Sequence, residues 1–388
     1  MGIQTFSGLQ EMTEFDYDIA IVGGGLAGLT AAIQFRMRGY SVIVFEKKSY
    51  PFHRVCGEYI SMESWHFLID CGLDLPSMQL PAIKKLQVSA PNGNLFTADL
   101  DLGGFGMSRF KLDHLLYLRA KALGVEMREG QQVDHFFYED GMYRISMGQD
   151  SFKVRLALGC FGKRSNIDLH WKRDFTLDKK NALNNFVGVK YHIQTDFPDD
   201  TIALHNFANG YCGLSKIEDD KYCLCYLTTA GNLQNNGGIK EMERAVLFRN
   251  KHLRRTFESS TFLMNQPVSI AQISFDSKDV VFKKVPLAGD ACGMITPLCG
   301  NGMSMAMHGG KIFVHLADQY LQNQISLIEM LHRYEREWNR HFSRRLRIGR
   351  MVQSHFGKAW QTNWFISIMK TLPALSKKII RSTHGTPF

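Results

Sequence analysis

No run of 18 apolar residues occurs in this chain, so no stretch reads as a membrane-spanning helix. Residues 1–15 lack a basic start followed by an apolar core, so no secretory leader is expected. No nucleic-acid-binding motif is recognisable, and no internal repeat or low-complexity segment appears. Metal-ligand spacing is missing too. Cys223-x-Cys225 sits on an expected strand, which puts both thiols on one face, but no second pair completes a zinc set. Eight cysteines without a leader point to reduced, mostly buried thiols and a cytoplasmic location.

With 45% hydrophobic and 21% charged residues, the 388-residue chain can build a sizeable core and either two domains or one large composite one. Its net charge of +9 is then left with two uses, an anionic membrane surface or a polyanionic small molecule, and nucleic acid is not an expected partner.

The stretch from Asp16 to Glu46 chooses the second use. Tyr17 to Val22 reads as a buried parallel strand, Leu29 to Arg38 as a helix, and Ser41 to Phe45 as a second strand. Between the first two stand Gly23, Gly25 and Gly28 in G-x-G-x-x-G spacing. Gly23 permits the tight turn, Gly25 lets a pyrophosphate approach the backbone, and Gly28 allows close helix–strand packing. The helix start offers unpaired N–H groups to the phosphates, and Glu46 can accept hydrogen bonds from a ribose diol. The chain is therefore expected to be α/β, opening with a Rossmann-like dinucleotide-binding unit.

Further along, Arg54 is placed to fold back on the pyrophosphate, and Cys56-Gly57-Glu58 is a reactive-looking trio. Its plainer reading is a buried thiol beside a helix-capping acid. Lys84 to Leu100 predicts a hairpin turning at Asn92-Gly93, and Arg109 precedes a helix that runs from Phe110 and stops at Gly124. Val125 to Met127, Gln131 to Tyr138 and Arg155 to Leu158 read as strands. Three more within 185–230 predict a separate antiparallel sheet. Val281 to Ala288 reads as a strand closed by Gly289-Asp290. Pro297, Gly300 and Gly302 then lead into a helix whose N-terminus would favour the negative charge of a reduced flavin.

Together, Gly23-x-Gly25-x-x-Gly28, the Arg109 segment, Gly289-Asp290 and Pro297-x-x-Gly300-x-Gly302 resemble the aromatic-hydroxylase flavoprotein superfamily over most of residues 16–320. The Arg54–Glu58 motif looks most like its geranylgeranyl reductase and halogenase branch. The resemblance implies FAD. Gly23, Gly25, Leu26, Ala27, Gly28, Glu46, Lys47 and Arg54 would hold its ADP half, with Arg109 beside the ribose-pyrophosphate. Val133 would touch the adenine, Asp290 the ribityl chain, and Gly302 and Met303 the flavin ring. Residues 16–80, 109–180 and 281–325 would form the FAD-binding domain. Residues 81–108 and 181–280 would form an inserted antiparallel substrate domain, and 326–388 a helical C-terminal region.

Departures narrow the chemistry. Phe161-Gly162 stands where hydroxylases of this type carry Asp-Gly, and Gly210 to Ser215 lacks the tryptophans of halogenases. The expected activity is FAD-dependent reduction of a double bond in a small apolar substrate of lipid, isoprenoid or polyketide-like type. NAD(P)H or another reductant would be the electron donor. The substrate class rests on 27 Phe and 18 Met and on the basic, aromatic C-terminal region, which would either be solvated or dock on an anionic membrane. In this reading Cys56 and Glu58 are the catalytic pair, with burial raising the Glu58 carboxyl so that it donates the proton. An oxygen-dependent hydroxylase and a non-catalytic electron-passing flavoprotein are the alternatives.

Overall fold

The computed structural model describes residues 15–163, 165–177, 185–294, 300–355, 359–372, 376, 379–381 and 385–388. In chain order the first unit is β1 (Tyr17–Val22), α1 (Leu26–Met37) and β2 (Val42–Glu46). Next come β3 (Tyr59–Ser61), α2 (Trp65–Asp70), β4 (Ala82–Ser89), β5 (Leu95–Gly106) and α3 (Arg109–Ala122). Four strands follow, β6 (Glu126–Glu129), β7 (His135–Glu139), β8 (Met142–Met147) and β9 (Asp150–Gly159), then the short α4 (Asn166–His170) and α5 (Asp174–Leu177). The middle of the chain holds β10 (Phe186–Gln194), β11 (Thr201–Phe207), β12 (Gly210–Lys216), β13 (Tyr222–Thr229), α6 (Ala230–Asn236), α7 (Ile239–Ala245) and α8 (Lys251–Ser259). The last part holds β14 (Thr261–Phe262), β15 (Val268–Ile273), β16 (Val281–Phe282), β17 (Val285–Pro286), α9 (Gly302–Leu321), α10 (Leu327–His355) and α11 (Ala359–Thr371).

Two sheets carry this material. The first runs β6-β2-β1-β9-β8-β7. Its four strands from β6 to β9 are parallel, with Ile21 of β1 opposite Val44 and Leu158, and β8 and β7 fold back antiparallel. Continuous apolar runs suit β1 and β2 because both faces of this sheet are covered. Ten consecutive residues of α1, Leu26 to Phe35, are buried. The helix is sandwiched rather than amphipathic, and each of Leu26, Leu29, Ile33 and Phe35 removed from water contributes roughly 1.5–3 kcal/mol. On the far side it meets α9, where Gly310 brings the α9 backbone against the Ala27 carbonyl: a Cβ there would lie 3.1 Å from that oxygen.

The second sheet runs β14-β10-β13-β12-β11-β4-β5-β3, with β15 also on β10. The expected hairpin forms as β4 and β5, with Gly93 donating to the Ala90 carbonyl at 2.8 Å. It enlarges the sheet from 185–230 by pairing β4 with β11. That pair is parallel in an otherwise antiparallel sheet. Two strand readings need correction. Val281 to Ala288 is a tight β16–β17 hairpin, because Lys283 and Lys284 both adopt left-handed backbone. Gln131 to Val133 form a loop, and the strand begins only at His135. β8 and β12 are additional strands.

Candidate functional site

The three motif glycines divide into two kinds. A Cβ on Gly23 (φ +112°) would lie 2.2 Å from the Cys160 carbonyl oxygen, and one on Gly28 would lie 2.1 Å from the Gly23 oxygen. Those two are required by packing. At Gly25 the nearest atom to an added Cβ is Arg109 Nη2, 3.9 Å away. Gly25 is also the N-cap of α1, no side chain caps that helix, and its first turn has no acidic residue. Unpaired N–H groups, the positive dipole end and a guanidinium therefore face one open lane, into which the backbones of Leu26 and Ala27 begin the helix. A diphosphate fits that lane on charge and on space.

Around the lane lies a charge network. Glu46, buried at the end of β2, accepts from Gly24 N (3.0 Å) and Arg54 Nη2 (3.0 Å) through Oε2, and from Lys48 N (3.1 Å) through Oε1. Arg54 Nη2 and Tyr50 Oη both donate to the Gly24 carbonyl. Ser108 caps α3 and so sets Arg109 at its first turn. One carboxylate on the next turn, Asp113, holds both cations: Arg54 Nε at 2.8 Å, Arg109 Nε at 2.7 Å and Arg109 Nη2 at 2.8 Å. Burial works against the Arg109 charge, but Asp113 outweighs it and pushes its pKa above the ordinary value. Gln131 N reaches the Glu46 carbonyl, which brings the Val133 loop to this end of the sheet, whereas Lys47 is exposed.

The segment after β17 completes the cleft. Gly289 approaches Ala27 and Ala306 closely, so the Gly289–Ala291 turn, the start of α1 and the start of α9 converge. Gly289, Asp290, Gly302 and Ala306 line one narrow gap, with Met303 buried beside it. Gly300 packs on the Tyr59 ring, and the buried Tyr59 hydroxyl has no partner among the described residues. Pro297 lies outside the described residues.

At the other end stands the Cys56–Glu58 loop, and here the sequence expectation is overturned. Glu58 is fully buried, but its carboxyl is not a neutral acid. Oε1 accepts from Lys190 Nζ (2.7 Å) and Arg109 N (2.8 Å), and Oε2 pairs with His192 Nε2 (2.6 Å). Burial alone would raise its pKa; the His192 and Lys190 contacts outweigh burial and hold it down at about 2. Glu58 is therefore a carboxylate and not the proton donor. The Lys190 amine, equally buried, is held above its ordinary value because Glu58 outweighs the burial penalty. Glu58 also adopts left-handed backbone (φ 57°), a strain of about 1–3 kcal/mol for a non-glycine residue. Cys56 is half-buried, and its carbonyl accepts from Cys223 Sγ at 3.2 Å. Donor atoms of Glu58, His192 and Cys223 lie within 4.8 Å of one another, but the Lys190 ammonium already supplies the cation there, and burial pushes the Cys223 thiol up. His53 stacks on Phe110 and meets His192 edge-on at 5.2 Å; burial, aided by the Lys190 charge, lowers its pKa to about 4.

Sequence reasoning missed Asp113, Lys190, His192 and His53. Asp113 had a signal, since it lies four residues after Arg109 on an expected helix. Lys190 and His192 are two residues apart in the apolar strand NFVGVKYHI, so they share one face of it.

A family model described as an FAD binding domain matches residues 16–341. Conditioned medium factor receptor 1 of Dictyostelium discoideum is 22% identical over 83% of this chain and 67% of its own length. Digeranylgeranylglycerophospholipid reductase of Methanospirillum hungatei is 22% identical over 90% of this chain and 85% of its own. A solved geranylgeranyl bacteriochlorophyll reductase-like protein of Thermoplasma acidophilum superposes with a TM-score of 0.77, at 16% identity and 95% coverage of both chains. Flavin-dependent halogenases and a Pseudomonas aeruginosa protein described as a probable FAD-dependent monooxygenase are further matches.

Proposed function

The chain belongs to the FAD binding domain family, a family of FAD-dependent oxidoreductases, and from that premise we propose that it reduces carbon–carbon double bonds in an isoprenoid or lipid chain. The observation that carries this reading is the buried Glu58–Lys190–His192 set beside Cys56. FAD, when bound, supplies the hydride. The lane at Gly25, with Leu26, Ala27 and Arg109, binds its diphosphate. Glu46 and Arg54 orient the ribose end next to Lys47 and the Val133 loop, and Asp290, Gly302 and Met303 orient the ribityl and ring end.

Reduction of a double bond also needs a proton, and Glu58 has none to give. Lys190 Nζ donates to its carboxylate and His192 Nε2 lies 2.6 Å from the other oxygen, so two nitrogen groups able to carry a proton stand at a site from which water is largely excluded. His53, half-buried, meets the His192 ring edge-on at 5.2 Å. Cys56 lines the same loop. Hydroxylation is less well served. Phe161 occupies the place of the expected acid and packs edge-on against Trp171, so no carboxylate stands there. The electron donor is NAD(P)H or another reductant.

The test is anaerobic single turnover of pre-reduced enzyme with a geranylgeranyl-bearing glycerophospholipid. Product gaining two hydrogens per double bond is expected. Glu58→Gln and His192→Gln should each slow it about 100-fold or more without loss of FAD. Product that requires oxygen and carries an oxygen atom from it would refute the reductase.

A further inference from the structure

The charge of this chain is unevenly placed. Glu337 is the last acidic residue, and the 51 residues after it hold 10 Lys and Arg; the first 337 hold 36 cations and 37 acids. The whole positive balance therefore belongs to the C-terminal limb. In α10 the cations are ordered as well. Arg336, Arg340, Arg344 and Arg347 are all exposed and recur at three- or four-residue steps, the spacing of one helix face, and the stripe ends on Met351, 58% exposed. Among the described residues Arg336, Arg344 and Arg347 make no ion pair; Arg340 reaches only Glu337 of its own helix, at 3.5 Å.

The next helix adds apolar anchors. Trp360 and Trp364 of α11 are 71% and 66% exposed, one turn apart on one face, while Ile366 and Met369 bury the opposite face in the core. Lys370 and Leu372, also exposed, continue the outer surface. Packing does not require two exposed indoles on a helix already anchored by its other side. Indole rings favour the boundary between headgroups and acyl chains, and arginines favour anionic headgroups. No helix among the described residues is long and apolar enough to cross a membrane.

We propose that α10 and α11 form a docking surface for anionic lipid bilayers, with the arginine stripe supplying attraction and Trp360 and Trp364 inserting at the interface. This goes beyond the reductase reading and is read out by binding alone, so either can fail without the other.

The experiment uses the FAD-loaded full chain and sedimentation with vesicles of phosphatidylglycerol and phosphatidylcholine against phosphatidylcholine alone. Binding should need phosphatidylglycerol and fall sharply at high salt. Arg344→Gln and Arg347→Gln should each weaken it roughly five-fold. Trp360→Ala with Trp364→Ala should weaken it about tenfold and abolish quenching of tryptophan emission by brominated lipid. Equal binding to neutral vesicles, no binding at any salt, or binding indifferent to the tryptophan and arginine variants would overturn the proposal. So would a dimer that hides both tryptophans and ignores vesicles, or a preference for nucleic acid over vesicles.

Discussion

Replacing Glu58 by glutamine should be costly, and the size of the cost follows from what surrounds it. The carboxylate and the Lys190 ammonium are both inaccessible to solvent and 2.7 Å apart. Glutamine keeps the shape and can still accept from Arg109 N, but it leaves the lysine charge buried without a counter-ion. Removing one partner of such a pair costs about 3–5 kcal/mol. Removing both charges should cost less than the sum of the single changes, so Glu58→Gln with Lys190→Met should show a favourable coupling of about 1–3 kcal/mol. Urea unfolding at neutral pH measures both. The pH dependence has a definite sign. The folded-state pKa of Glu58, about 2, lies below the ordinary 4.5, so the unfolded chain takes up its proton first. The stabilisation is fully present above about 4.5 and is lost as pH falls toward 2, and the glutamine variant should lack that component. A destabilisation under about 1 kcal/mol, or strict additivity with Lys190→Met, would refute the buried ion pair.

Gly25→Val should leave the fold intact, because the space is open, yet weaken FAD binding at least tenfold, about 1.4 kcal/mol, by fluorescence titration. Gly28→Val, by contrast, meets backbone at 2.1 Å and should lower stability by about 3 kcal/mol or more in urea unfolding. Asp113→Asn releases Arg54 and Arg109 together; FAD affinity should fall about tenfold, with the loss suppressed at high salt less than for an exposed pair. Asp290→Ala should lower the flavin retained through gel filtration while the circular dichroism spectrum stays unchanged.

The nucleotide half of the site was legible in the sequence because its determinants are local. Strand, glycine turn, helix and Glu46 follow one another within 31 residues, and each piece has its own backbone requirement. The Asn92-Gly93 turn and the start of α9 at Gly302 were legible for the same reason. Helix α1 nonetheless begins at Leu26 rather than Leu29, since Gly25 serves as its cap and the turn is no longer than the motif.

What only the tertiary structure decided is which distant groups meet. Glu58 finds Lys190 and His192 across 132 and 134 residues, and that meeting reverses its expected ionisation. A sequence shows that a carboxyl will be buried far more readily than what it will be buried against. The parallel pairing of β4 with β11 likewise joins segments separated by more than a hundred residues, and β12, with its two glycines, is a strand only because β11 and β13 bond both its edges. Local propensity acts within a few residues, whereas charge state and strand partnership depend on neighbours that the chain brings together only on folding.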